Sequence, residues 1–242
     1  MKRKPLNWTL PAEIEERLGE STYGRQRVIA EAGHLLIILH APPTSDTLER
    51  EAVLFLRKPD GTYLVNGRDN GTHKLRGLIA DYRAQWEKCD KAYDTADSPE
   101  ALLALLEILA PLNRSSTNLA NTLQEARDLE KSDKFLIGVR DESYDISRAF
   151  ELLTSDAKLK LDYRIAKNSE AQASRAQVMI AAQHRLNVLA AITFPIMAVA
   201  TVLGMNLTHG LENRSPAVFI GILLLGVAIG LVVKRWIDSA RS

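Results

Sequence analysis

Asn206 is a polar amide at the end of a greasy stretch: Leu186 to Leu203 carries no formal charge, and Gly204-Met205-Asn206 follows directly. An amide is costly in lipid, so its side chain is expected to face a partner or an aqueous path. Its carbonyl is a hard oxygen acceptor, and a ring of such groups could hold a divalent cation. Mg²⁺ dehydrates reluctantly, so a ring that bonds its water shell is an economical filter. Gly204, lacking a Cβ, would let backbones come close at the same level.

Two apolar runs must position that tripeptide, Leu186–Leu203 and Ala217–Val233. Each meets the lower length limit for a membrane span. They could instead be two buried helices of a large core, but the rest of the chain holds too little apolar mass to surround both. Gly226 and Gly230, four apart, suit close packing between lipid-embedded helices. The short connection makes a tight hairpin with both termini on one side. Arg175 and Arg185 precede the first run, and Lys234, Arg235 and Arg241 follow the second, while the connection holds Arg214 beside Glu212. The positive-inside rule then puts both termini in the cytoplasm and Trp236 at the inner interface.

Upstream, no Gly or Pro occurs between Asp141 and Phe194. A helix from Asp141 to Leu203 would be roughly 95 Å long at 1.5 Å per residue. Such a rod predicts a stalk that packs against neighbouring copies. Nearer the N-terminus, "RVIAEAGHLLIILHAPP" predicts two strands broken at Gly33. "EAVLFLRKPDGTYLVNG" predicts a hairpin turning at Lys58-Pro59-Asp60-Gly61. A helix is expected over Pro11–Leu18. A second places Leu75, Leu78, Ile79, Tyr82 and Trp86 on one face. Ser98 and Pro99 start a third, carrying Leu102, Leu103, Leu106 and Ile108, which Pro111 should kink or break. A further helical run reaches Leu129.

The net charge of +1 gives no overall field for nucleic acid or an acidic partner. One cysteine, Cys89, forbids an intramolecular disulfide and suits a reducing compartment. "MKRKPLNWTL" lacks the apolar core of a secretory signal. The five His are scattered, and His209 has no zinc-site spacing. No phosphate loop, nucleophile triad or acid–base pair stands out, so no enzyme and no cofactor are expected.

These features together resemble the CorA family of divalent-cation channels, in which Gly-Met-Asn ends the first of two C-terminal helices. Pro195 matches a proline inside that helix, "VVKRW" resembles the short basic tail, and "RDESYD" (Arg140–Asp145) is similar to a pattern near the family's stalk start. The resemblance is clearest from Arg140 to Trp236. It extends loosely over "LPAEIEERLGE" and "GHLLIILHAPP", similar to the family's helix-plus-sheet cytoplasmic domain. It implies an α+β membrane protein with a small antiparallel-sheet and helical cytoplasmic domain and a long stalk helix continuing into the first transmembrane helix. The expected divisions are a cytoplasmic domain at 1–139, a stalk at 140–185, a first span at 186–207, an outer loop at 208–216, a second span at 217–233 and a basic cytoplasmic tail at 234–242. The expected setting is the inner (plasma) membrane, multi-pass, with a homopentamer and the lipid bilayer as partners and no nucleic acid.

The resemblance also assigns roles. Gly204, Met205 and Asn206 would form the selectivity filter. Gln183, Asn187 (or Leu186 at the same turn), Ala190, Phe194, Met197 and Thr201 would line the path, with Phe194 as a hydrophobic constriction. The alternative for Phe194 and Met197 is interhelical packing, and for Asn187 a bond to a neighbouring helix. Asp141 and Asp145 are candidates for regulatory cation sites between copies, or first-turn acids favoured by the helix dipole. Lys234 and Arg235 form the basic tail. Lys158, Lys160 and Arg164 read as a solvated face or a basic collar. The chain departs from the family at Leu203, where an aromatic is usual, at Met197, where Thr is common, and in an outer loop without Met-Pro-Glu-Leu. The expected function is a divalent-cation channel or transporter, with Mg²⁺ first and Co²⁺ next. The alternatives are a ZntB-like Zn²⁺ transporter and a membrane-anchored structural or sensing protein that kept the fold without transport.

Overall fold

The computed structural model describes residues 8–44, 51–204 and 216–239, without the side chains of 199, 202–204, 216, 218, 219, 222 and 236–239. The chain divides into two compact units, Met1–Ala166 and Lys167–Ser242.

The first unit is built on an antiparallel meander: β1 (Arg27–Glu31), β2 (His34–His40), β3 (Ala52–Arg57) and β4 (Tyr63–Val65). Ala32 and Gly33 turn β1 into β2, both with positive φ, the two-residue turn whose twist matches the strands. The expected Lys58–Gly61 turn joins β3 to β4, with Lys58 N–H donating to Thr62 O at 2.9 Å. Side chains alternate across a strand, so the unbroken apolar run of β2 serves two layers at once. Leu35, Ile37 and Leu39 join Phe55, Tyr63 and Val65 against the helices. Leu36 and Ile38 join Ile29, Leu54 and Leu56 against Leu10, Ile14, Leu18 and Tyr23. The expected N-terminal helix is shorter than Pro11–Leu18: α1 covers Ala12–Glu15.

Helix α2 spans Gly71–Thr95 and buries Leu75, Leu78, Ile79 and Tyr82, while Trp86 is half-buried. Helix α3 spans Pro99–Leu129, and its N-cap is the expected one: Ser98 Oγ accepts from Ala101 N–H at 3.1 Å. Pro111 neither ends nor splits α3, against expectation. It lies on the exposed side, where water can serve the carbonyl it leaves without a donor, while Leu105, Leu109 and Leu112 stay buried. Leu103 and Ile108 are exposed rather than part of the buried face. A polar network fastens the end of β2 to both helices. Tyr82 Oη donates to His40 O at 3.0 Å and lies 2.7 Å from Ser115 Oγ, whose residue's carbonyl accepts from Gln26 Nε2 at 3.0 Å.

Helix α4 spans Lys134–Gly204 and so begins before Arg140. Asp133 starts it. Its Oδ1 accepts from Phe135 N–H at 2.9 Å and Leu136 N–H at 3.3 Å, the N-cap arrangement. Its Oδ2 accepts from Arg57 Nε at 2.7 Å and Tyr63 Oη at 2.9 Å, tying the helix start to β3 and β4. Leu136, Val139, Ser143, Ile146, Phe150, Leu153, Ala157 and Leu161 then bury one seam at steps of three and four. In the second unit, α4 continues to Gly204 and α5 spans Pro216–Ser239.

Among the described residues, no helix is long and apolar enough to cross a membrane. The runs expected to span at 186–207 and 217–233 include side chains outside that description: Val199, Val202 and Leu203 in one, Val218, Phe219 and Ile222 in the other. Trp236, Arg241 and the loop residues His209, Glu212 and Arg214 also lie outside it.

Burial raises the pKa of Asp133, but the bonds from Arg57, Tyr63, Leu136 N–H and Phe135 N–H outweigh it and hold the carboxyl below its ordinary value. The folded pKa is therefore the lower one, and the stabilisation is complete above the unfolded value near 3.9 and lost as pH falls through the folded value. Asp133→Ala should lower stability at neutral pH by about 2–4 kcal/mol, because it removes a helix cap and leaves Arg57 buried without that partner. Denaturant titration at pH 7 and below about pH 4 should show that gap shrinking with acid.

Candidate pore-lining face

The two glycines of α5 settle which side of α4 it covers. Gly226 and Gly230 are the buried residues among those described in the second unit. A Cβ at Gly226 would lie 3.6 Å from Ile196 Cγ1, and one at Gly230 would lie 2.9 Å from Ile192 Cα. Four residues forward along α5 thus meet four residues back along α4, an antiparallel pair of helices in contact through small residues, as the Gly226–Gly230 spacing predicts.

At about 100° per residue, Phe194 points nearly opposite Ile192, and Met197 and Ala190 fall on the same outward side. Accessibility agrees: Phe194 is 67% and Met197 62% exposed. Gln183, Asn187 and Thr201 are exposed as well, and Ala190 is half-buried. The six residues expected to line a path therefore share a face that α5 leaves uncovered. Thr201 Oγ1 donates to Met197 O at 2.7 Å, so its hydroxyl proton is used within the helix and an oxygen lone pair is left outward. Among the described residues of one chain no helix covers Phe194 and Met197, so a packing role for them would need a neighbouring copy.

Gly204 is the last residue of α4. Met205 and Asn206, expected to form the filter with Gly204, lie outside the described residues. Asp141 and Asp145 are both exposed on α4, and Asp141 pairs with Arg140 at 3.2 Å. Among the described residues, no group of three or more His, Cys, Asp or Glu could hold a metal ion. Lys234 is half-buried and Arg235 exposed, both within α5. Cys89 is buried, and burial pushes its thiol pKa up, which suits packing and not reactivity.

Lys158 is solvent-facing, but Lys160 and Arg164 are not a plain solvated face. Lys160 Nζ donates to Tyr93 O at 3.1 Å and lies 4.7 Å from the centre of the Tyr93 ring. Arg164 Nη2 donates to Asp97 Oδ1 at 2.7 Å. Both fasten α4 to the α2–α3 connection, beside the buried Ala96, Leu102 and Leu161. Asp133 and Asp97 were the residues that sequence reasoning passed over. An Asp just before Lys134-Phe135-Leu136 is the available signal for the first. Nothing local signals the second, whose partner Arg164 lies 67 positions along the chain.

No family model matches the chain, and no curated protein matches it. Solved structures do. The cytoplasmic domain of ZntB from Vibrio parahaemolyticus aligns with a TM-score of 0.53 at 10% identity, over 66% of this chain and 80% of that one. Full-length CmaX aligns with a TM-score of 0.49 at 16% identity, over 95% and 82%. The CorA magnesium transporter from Methanocaldococcus jannaschii aligns with a TM-score of 0.42 at 15% identity, over 87% and 78%. The first of these shows the fold: this chain shares that of a ZntB cytoplasmic domain.

The two sides of α4 give a prediction in a Cys89→Ser background. A cysteine at Asn187 or Thr201 should cross-link between copies under mild oxidation, giving a dimer band on a non-reducing gel. A cysteine at Ile192, which faces α5 of its own chain, should give none.

Proposed function

We propose that the chain is a homo-oligomeric divalent-cation channel or transporter, with 186–207 and 217–233 as its membrane spans. The observation that supports this best is the face Gln183–Asn187–Ala190–Phe194–Met197–Thr201. It is left open by α5, polar at both ends and apolar in the middle, and the sequence continues from it into Gly204-Met205-Asn206. Copies arranged around a common axis, five by the resemblance read from the sequence, would turn these faces inward and α5 outward to lipid. The exposed Ile220, Leu224, Leu225, Leu231 and Val232 of α5 suit that lipid contact.

In this reading a hydrated cation is held at the outer mouth by a ring of Asn206 carbonyls, which bond its water and leave the shell in place. Thr201 offers a further oxygen below. Met197 and Phe194 form a narrow apolar zone that closes by dewetting when the helices draw together. Asn187 and Gln183 rehydrate the ion at the inner end. Asp141 and Asp145 are proposed to meet cations only where a neighbouring copy supplies further ligands. Mg²⁺ is the first candidate for cargo and Co²⁺ the next. Zn²⁺ is a second reading, favoured by the departure of the outer loop from the family pattern: it lacks Met-Pro-Glu-Leu, and its Glu212 is balanced by Arg214.

The test is uptake of Mg²⁺, Co²⁺ and Zn²⁺ into liposomes containing the purified chain. Asn206→Ala should reduce flux about ten-fold or more, the scale of one lost hydrogen-bonding layer at the filter. Equal flux in both proteins sinks the filter assignment. Competition of Zn²⁺ against Mg²⁺ identifies the cargo, and no flux of any cation from a stable oligomer points to the non-transporting alternative.

A further inference from the structure

Pro195 lies inside α4, and a proline has no N–H. The carbonyl of Ala191 thereby loses the donor that helical geometry assigns to it. In α3 the same defect at Pro111 falls on an exposed side, but at Pro195 the second unit places another helix there. A Cβ at Gly230 would stand 3.2 Å from Ala191 O, 3.3 Å from Ile192 O and 2.9 Å from Ile192 Cα. All three are backbone atoms, which cannot swing aside as a side chain can.

We infer that Pro195 and Gly230 form a single notch, in which the carbonyl bared by the proline is covered by the glycine backbone of α5. A glycine Cα–H is a weak donor that can approach a carbonyl where a methyl would stand in the way. In an apolar setting an uncovered carbonyl is costly, and a neighbouring helix is one of the few things able to serve it. The notch fixes the axial register of α5 on α4. Gly230 and Pro195 thus act as positioning residues that keep the 187–201 face turned outward. Gly226 differs from Gly230, because a Cβ there would meet Ile196 Cγ1 at 3.6 Å, an ordinary contact. The inference concerns the hairpin alone and does not depend on what is transported.

A thermal-stability cycle on the full chain in lipid nanodiscs tests it, with Gly226→Ala, Gly230→Ala, Pro195→Ala and the Pro195→Ala/Gly230→Ala pair. Gly230→Ala should lower Tm by roughly 5–10 °C through overpacking and loss of the cover, and Gly226→Ala by about 2 °C or less. Alanine at 195 restores an N–H to the Ala191 carbonyl. Gly230→Ala should therefore cost clearly less in the Pro195→Ala background, a non-additivity that simple crowding would not produce. Equal effects at 226 and 230 would overturn the close approach. Strictly additive effects of 195 and 230 would overturn the link between them. If Gly230→Ala alone yields no folded protein, the pair decides: recovery supports the notch, and no recovery contradicts it.

Discussion

One carboxylate, Asp133, joins the parts of the first unit that have to agree. Its two oxygens face different elements, one the free N–H groups at the start of α4 and the other Arg57 and Tyr63 on β3 and β4. Arg57 also reaches Glu130 at 3.3 Å, at the end of α3, and Phe135 packs edge-on against Tyr63. The start of the longest helix is thus set by the sheet. Within the first unit the buried positions of α4, Leu136 to Leu161, take their rotation from that anchor, because a helix transmits phase at about 100° per residue. Lys160 and Arg164 hold the same phase at the other end of the unit, against Tyr93 and Asp97.

The chain treats its helices by two different rules. In the first unit, α4 has a buried seam, ended at Leu161, that its own sheet and helices cover. In the second unit, the buried residues among those described are the two glycines of α5. Large apolar side chains such as Leu186, Leu189, Phe194 and Met197 stay uncovered there. Large apolar side chains exposed in such number point to a lipid or protein partner. The proposed channel assigns one side of that surface to other copies and the other to lipid, and so accounts for both with one assembly.

Much of this was legible from the chain. The strands of the meander, the Lys58–Gly61 turn, the Ser98 cap and the Gly226–Gly230 contact all rest on local rules, and the structure has each of them. What the sequence hid depends on distant atoms. Pro111 reads as a helix breaker until its exposed setting is known. Lys160 reads as a solvated cation until Tyr93 lies beneath it. The stretch without Gly or Pro made Arg140–Asp141 the expected beginning, whereas Asp133 caps the helix earlier because the sheet holds it there. For the candidate site, the six residues came from the family resemblance, taken back from Asn206 at helical spacing. That α5 leaves this face open did not, since the side taken by α5 depends on where the glycines meet α4.

The central claim is that α4 turns this open face toward a common axis. A density map of the full chain assembled in lipid nanodiscs tests it most directly. The account predicts Asn187, Phe194, Met197, Thr201 and Asn206 from every copy converging on one axis, with α5 outside against lipid. A map in which α5 lines the axis, or in which these residues face lipid, would contradict it.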